Sequence, residues 1–195
     1  MDAAQVAEIE SSIGARLDAG EAREAVTVAV RAYGPQILGY LEALCRDGAT
    51  ADELFAQFCE DVWRGLPGFR RECTLRAWAY RVAYSALLRY RKDAFRRRAQ
   101  PLQTDQFAAL AAEVRTATRS YLRTDTRERF ARLRARLEDD EQTLLVLRVD
   151  KKLSWSEVAL VLAGDGEALG EAALRKRFER LKSKLHALAR EDTAP

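Results

Sequence analysis

ALRKRFERLKSKLHALAR, residues 173–190, sets Leu174, Phe178, Leu181, Leu185 and Leu188 at alternating steps of four and three. That is the period of an amphipathic helix with one apolar face to bury. The other faces carry Arg175, Lys176, Arg177, Arg180, Lys182 and Lys184. Just upstream, VDKKLSWSEVALVL (149–162) reads as a turn over Asp150 to Lys152 and then a helix. Ser154 followed three residues later by Glu157 is a capping box, in which each side chain satisfies a backbone N–H that the helix start leaves free. AGDGEALGEA (163–172) breaks that helix before the basic one begins. A short capped helix, a turn and a longer helix with a basic outer face make a helix-turn-helix pattern.

Working outward, LRAWAYRVAYSALLRYRK (75–92) threads Trp78, Tyr80, Tyr84 and Tyr90 among Arg76, Arg81, Arg89, Arg91 and Lys92, with no acid. The spacing predicts a helix over about 74–97, with Leu75, Val82 and Ala86 inward and Trp78 equally suited to core or surface. Before it, Val26, Val30, Tyr33, Ile37, Tyr40, Leu41 and Leu44 mark a helix over 21–46 that Gly34-Pro35 should bend or interrupt. RDGAT (46–50) is a turn, and Thr50 with Glu53 reads as a capping box for a helix over 51–64. GLPG (65–68) ends that helix, and a short helix fits residues 3–18. Residues 99–121 are rich in Ala, Gln and Thr and read as a linker with room for partial helix. Apolar periodicity returns at Phe130, Leu133 and Leu137, then at Leu144, Leu145 and Leu147. The acidic run Glu138-Asp139-Asp140-Glu141 suits a helix start.

Strong helix formers dominate the 195 residues, while prolines number four and period-two runs of β-branched residues are scarce. The expectation is an all-α chain of two small helical domains: an N-terminal extension at 1–20, a bundle at 21–98, the linker at 99–121 and the helix-turn-helix domain at 122–195. Net charge is only +3, yet 70–98 holds ten basic residues to two acids and 173–190 holds seven to one. Two separate basic blocks on a nearly neutral chain point to nucleic acid. No apolar run approaches 18 residues, and MDAAQVAEIESSIG lacks the basic start and apolar core of a secretion signal. Those readings predict a cytoplasmic protein without membrane insertion. Cys45, Cys59 and Cys73 form no CxxC pair and His186 is the only histidine, so neither a metal site nor a cofactor is expected and the cysteines read as small apolar fillers. No P-loop or GxSxG string suggests an enzyme.

Both halves resemble the extracytoplasmic-function group of sigma-70 family sigma factors. Trp63, Phe69-Arg70-Arg71-Glu72 and Trp78-Ala79-Tyr80-Arg81-Val82-Ala83 are similar to the aromatic, "FRGE" and "W-x-YRIA" strings of region 2. LEDDEQTLLVLRVDKKLSWSEVALVL and ALRKRFERLKSKL resemble region 4. The resemblance implies a factor that brings RNA polymerase to promoters. The loop 66–75 would cradle a flipped −10 base, and the single strand would meet Phe69, Arg70, Arg76, Trp78, Tyr80, Arg81, Tyr84, Ser85 and Arg89. Stacked bases contribute about 1–3 kcal/mol each in such sites. The −35 duplex would meet Ala173, Arg175, Lys176, Arg177, Arg180 and Lys184.

By the same resemblance, the β′ subunit of core polymerase would dock on Asp52, Glu53, Leu54, Phe55, Ala56 and Gln57, and an anti-sigma protein is an expected partner. The chain departs from the family pattern in having Ala56-Gln57 for Gln-Glu and Ser85 for a common Asn. Its turn at 163–172 is longer, which either lengthens the loop or starts the recognition helix near Asp165. The alternative function is a helix-turn-helix or RNA-binding regulator that works without polymerase; a scaffold whose basic faces bind an acidic partner is a third reading.

Overall fold

In the computed structural model, described for residues 3–45, 47–92, 105–119, 136–163 and 169–191, every regular element is a helix. The chain divides into two compact units, Met1–Tyr121 and Leu122–Pro195.

The first unit holds α1 (Ala3–Asp18), α2 (Ala22–Leu44), α3 (Gly48–Gly65), α4 (Leu75–Lys92) and α5 (Asp105–Arg119), with a 3-10 turn at Leu66–Gly68. The other four helices all pack on α2. Its residues Val26, Val30, Tyr33, Ile37, Leu38, Tyr40 and Leu41 are buried. α2 runs unbroken through Gly34 and Pro35, where the sequence suggests an interruption. An internal proline costs about 3 kcal/mol, and burial of α2 on both sides of Pro35 outweighs it. Gly34 has its own reason to be glycine. Val114 of α5 and Phe55 of α3 lie 3.1 and 3.3 Å from where its Cβ would stand.

α3 starts earlier than the Thr50 reading implies. Asp47 is the cap, its Oδ1 accepting from the Thr50 N–H at 2.7 Å. Aspartate caps at least as well as threonine, so the first good cap in the turn wins. The Thr50 backbone and hydroxyl hydrogen bonds hold the Asp47 carboxyl below its usual range. At α4, the Thr74 hydroxyl accepts from the Ala77 N–H at 3.1 Å and opens the helix.

The stretch 99–121, read as a linker, contains α5. That helix lies on α2 and α3, buries Ala111 and Val114, and joins Glu113 to Arg31 at 3.3 Å. Residues 93–98 of the expected basic helix lie outside the described residues, as do 99–104, 120–121, Phe130 and Leu133. All three cysteines are free thiols. Burial pushes Cys59 up to about 12 and Cys45 up to about 11, which suits apolar fillers.

The second unit holds α6 (Asp139–Leu145), a π-helical turn at Val146–Asp150, α7 (Trp155–Ala163) and α8 (Glu171–Glu191). Glu138 and Glu141 form a capping box at the start of α6. The Ser154–Glu157 box forms as well: the Ser154 N–H donates to Glu157 at 2.8 Å and the Glu157 N–H to Ser154 Oγ at 3.2 Å. Leu144, Val146, Leu147, Leu153, Val158, Val161, Leu174 and Leu181 make the core. Phe178, Leu185 and Leu188, on the same stripe of α8, are only half-buried. Leu169 and Gly170 are not helical, so α8 does not run back unbroken to Asp165, which lies among the undescribed residues 164–168.

Candidate nucleic-acid interface

The loop between the 3-10 turn and α4 puts a mixed aromatic and basic surface on the first unit. The Phe69 ring lies 5.4 Å from Trp78, tilted by 48°. Both are half-buried. Trp78 also lies 3.1 Å from where a Gly65 Cβ would stand, so the glycine makes room for the indole. The Arg70 side chain is 84 % exposed. Arg81, one turn along α4 from Trp78, is half-buried. Arg76 bonds Gln36 through Nε at 3.3 Å and lies 5.8 Å from the Tyr80 ring centre.

Three residues expected to meet the single strand point inward instead. Tyr80, Tyr84 and Ser85 are 1 %, 4 % and 8 % exposed. Tyr80 presents its ring edge-on to Tyr40 at 5.4 Å, and burial raises its phenol pKa well above the usual range. Positions 80, 84 and 87 share one face of α4 with Ala83, and that face closes on α2 and α3. Neither tyrosine offers a free ring face for a base. Arg89 is engaged by Asp61 of α3.

The residues matched to core docking also divide by helical geometry. Glu53 and Ala56 are exposed, Asp52 and Gln57 half-buried. Leu54 and Phe55 belong to the core, Phe55 stacking on Phe58 at 5.8 Å. The outward face of α3 borders a groove of about 480 Å³ lined by Gln57, Asp61, Arg64, Arg89 and Tyr90.

On α8, the candidate cations separate into two sets. Arg177 bonds Asp140 at 3.1 Å and Lys184 bonds Glu141 at 2.6 Å, so both clasp the start of α6 rather than face outward. Arg175 pairs with Glu171 at 2.9 Å and lies 5.9 Å from the Trp155 ring centre. Ala173, Lys176 and Arg180 share an exposed face, and neither cation pairs with a described acid. Sequence reasoning missed Arg148, which stacks over Trp155 at 4.8 Å and donates to the Leu153 carbonyl at 2.6 Å. Its signal was an aromatic directly after the capping Ser154.

Among the described residues, no group of three or more His, Cys, Asp and Glu could hold a metal ion, and no helix is long and apolar enough to cross a membrane. A helical bundle followed by a capped helix pair with a basic outer helix is an arrangement also found among helical DNA-binding proteins. Comparison with known proteins narrows it. Residues 29–98 match the family model for sigma-70 region 2. The chain is 26 % identical over 163 residues to RNA polymerase sigma factor YlaC of Bacillus subtilis (strain 168), covering 83 % of this chain and 92 % of that protein.

Its fold matches CnrH, solved in complex with the cytosolic domain of CnrY, with a TM-score of 0.64, 20 % identity and coverage of 95 % and 99 % of the two chains. It also matches the sigma factor RpoE of Bartonella quintana, solved with the anti-sigma factor NepR, with a TM-score of 0.59, 14 % identity and coverage of 83 % and 94 %. Residues 29–98 are thus similar to a sigma-70 region 2, and along most of its length the chain is similar to an RNA polymerase sigma factor.

Proposed function

We propose that this chain is a sigma factor of the extracytoplasmic-function group that directs RNA polymerase to promoters, that it captures the single-stranded −10 element at the loop 66–75 and the adjoining face of α4, and that it reads the −35 duplex with α8. The observation that carries the first part is the Phe69–Trp78 pair, half-buried at 5.4 Å, beside the solvent-facing Arg70. Rings held on one side by protein and open on the other can stack on an unpaired base, and a nearby guanidinium neutralises the phosphate. Arg81 lies within the same stretch of α4. Tyr80, Tyr84 and Ser85 support that face from beneath. In the second unit the groove-facing set is Ala173, Lys176 and Arg180, with Arg175 and Trp155 at its edge, where an arginine stacked on an aromatic presents its N–H groups sideways to phosphate.

Core polymerase docks, in this reading, on the outward face of α3, through Glu53, Ala56 and Gln57. Leu54 and Phe55 act from within, fixing the helix that presents them. An anti-sigma protein is the proposed regulatory partner. Support comes from RpoE, whose fold this chain shares and whose structure holds an anti-sigma factor. The protein is proposed to work in the cytoplasm. Reconstitution tests the whole reading. The purified chain is mixed with sigma-free core polymerase and run on size exclusion, then the complex initiates on a genomic fragment pool. Co-elution with discrete start sites is the expected result. A folded, inhibitor-free chain that fails to co-elute would shift the reading to a regulator that works without polymerase.

A further inference from the structure

The region 2 string "FRGE" has glycine at its third position, and this chain has Arg71 there. Arg71 is left-handed, with φ 60°. An L residue enters that region at about 1–2 kcal/mol, and glycine enters it freely. The side chain shows what offsets the cost. Arg71 Nη2 donates to Asp18 Oδ1 at 2.5 Å and to the Gly14 carbonyl at 3.2 Å, while Nη1 donates to Asp18 Oδ2 at 3.2 Å. Asp18 is the last residue of α1 and Gly14 lies one turn back. The guanidinium therefore forks onto a carboxylate at the negative end of a helix, two favourable terms at one place.

A second tie fastens the far end of the loop. Glu10 of α1 accepts from the Arg76 N–H at 3.2 Å, a first-turn donor that α4 itself cannot satisfy. Between the ties lies a recess of about 450 Å³, walled by Glu10, Ser11 and Gly14 on one side and by Phe69, Cys73 and Leu75 on the other.

We propose that α1 is the fixed wall of the base-capturing recess, and that Asp18 and Arg71 are positioning residues whose clasp sets the loop geometry on which selection of the unstacked −10 base depends. This rests on the reading of the loop given above. The ligand is a single extruded base of the promoter strand. The α1 wall presents Glu10 and Asp18, which repel phosphate, so the base edge faces α1 and the strand backbone stays on the Arg70 side. Phe69 supplies the ring at the recess mouth. With the clasp removed, nothing offsets the left-handed Arg71 backbone, and the loop loses its register against α1.

The test offers holoenzyme, reconstituted from core polymerase and the full chain, a single-stranded DNA pool randomised over ten positions, and sequences what is retained. The wild type should show one position of sharp base preference. D18A and R71G should each flatten it at least fivefold, with co-elution on core polymerase unchanged. R71G leaves the left-handed turn fully accessible, so its effect isolates the clasp from backbone strain. The exchange D18R/R71D re-forms the pair, with Asp tolerated at positive φ, and should recover at least half of the preference. Preference retained in D18A and R71G, or no recovery in the exchange, overturns the clasp while leaving the loop reading standing. A wild type with no preferred position overturns the loop reading itself, and the proposal with it.

Discussion

Glu141 closes the capping box of α6 by accepting from the Glu138 N–H at 3.0 Å and also holds the Lys184 ammonium at 2.6 Å. Partial burial pushes its carboxyl up, but Lys184, the Glu138 N–H and Arg177 together hold it below the usual 4.5. A folded value below the unfolded one means that the stability this group contributes is complete above 4.5 and is lost as pH falls through the folded value. E141Q should cost on the order of 1 kcal/mol at neutral pH, the scale of a lost cap. It should also remove part of the acid-side slope. Urea melts followed on Trp155, the one tryptophan after residue 121, check this; an unchanged slope would mean that the Lys184 pair does not form. Arg71 separates a backbone term from a side-chain term. R71A loses the clasp and keeps the left-handed strain, whereas R71G loses both, so R71G should be more stable than R71A by about 1 kcal/mol. Equal stability would show that the turn relaxes once the guanidinium is gone.

Among the elements, the ones marked by their own residues were legible in the sequence. The Ser154–Glu157 box, the acidic start of α6 and the stripe of α8 each declare themselves within a few positions, because capping and amphipathic burial are local. α5 was not. Among its described side chains the buried ones are Ala111 and Val114, and Val114 meets Gly34, eighty residues away. The inward turn of Tyr80 and Tyr84 was hidden for a related cause: aromatics four apart among arginines suit a core face or a stacking face equally, and only the position of α2 decides. G34V should therefore act on an element rather than on a residue. Its side chain would drive into Val114 and Phe55, costing the first unit about 1–3 kcal/mol and lifting α5. Hydrogen exchange should rise across 105–119 well above the rest of the chain; uniform exchange would mean that α5 is held by other contacts. On α8 the split between outward and inward cations predicts opposite phenotypes. K176A/R180A should weaken duplex binding with unchanged melting, and R177A/K184A should lower melting with nearly unchanged binding. The reverse pattern in anisotropy and calorimetry would put the DNA face on the α6 side.

For the molecule as a whole, charge balance decides how it meets DNA. The two basic blocks contain seventeen Lys and Arg on a chain of net charge +3. If every one of them met a phosphate, log K would fall with log salt at a slope of roughly −15, at about 0.9 per phosphate contact. The structure commits many of them internally. Arg71 is held by Asp18, Arg89 by Asp61, Arg177 by Asp140, Lys184 by Glu141, Arg175 by Glu171 and Lys182 by Glu179. Such exposed pairs are individually worth about 0–1 kcal/mol, so some could open for a phosphate, but each opening leaves an acid facing DNA. The partners that would be bared, Asp140 and Glu141 above all, stand in the first turn of α6, and the second unit would lose the cations that face them as it bound. The chain should therefore bind mixed-sequence duplex through no more than the other eleven cations, giving a slope no steeper than roughly −10 by fluorescence anisotropy between low and physiological salt. The internal pairs should survive in the complex, so that R177A leaves the slope where it was. A slope approaching roughly −15 would show that the pairs open on contact with DNA and that both basic blocks, as wholes, face the phosphates.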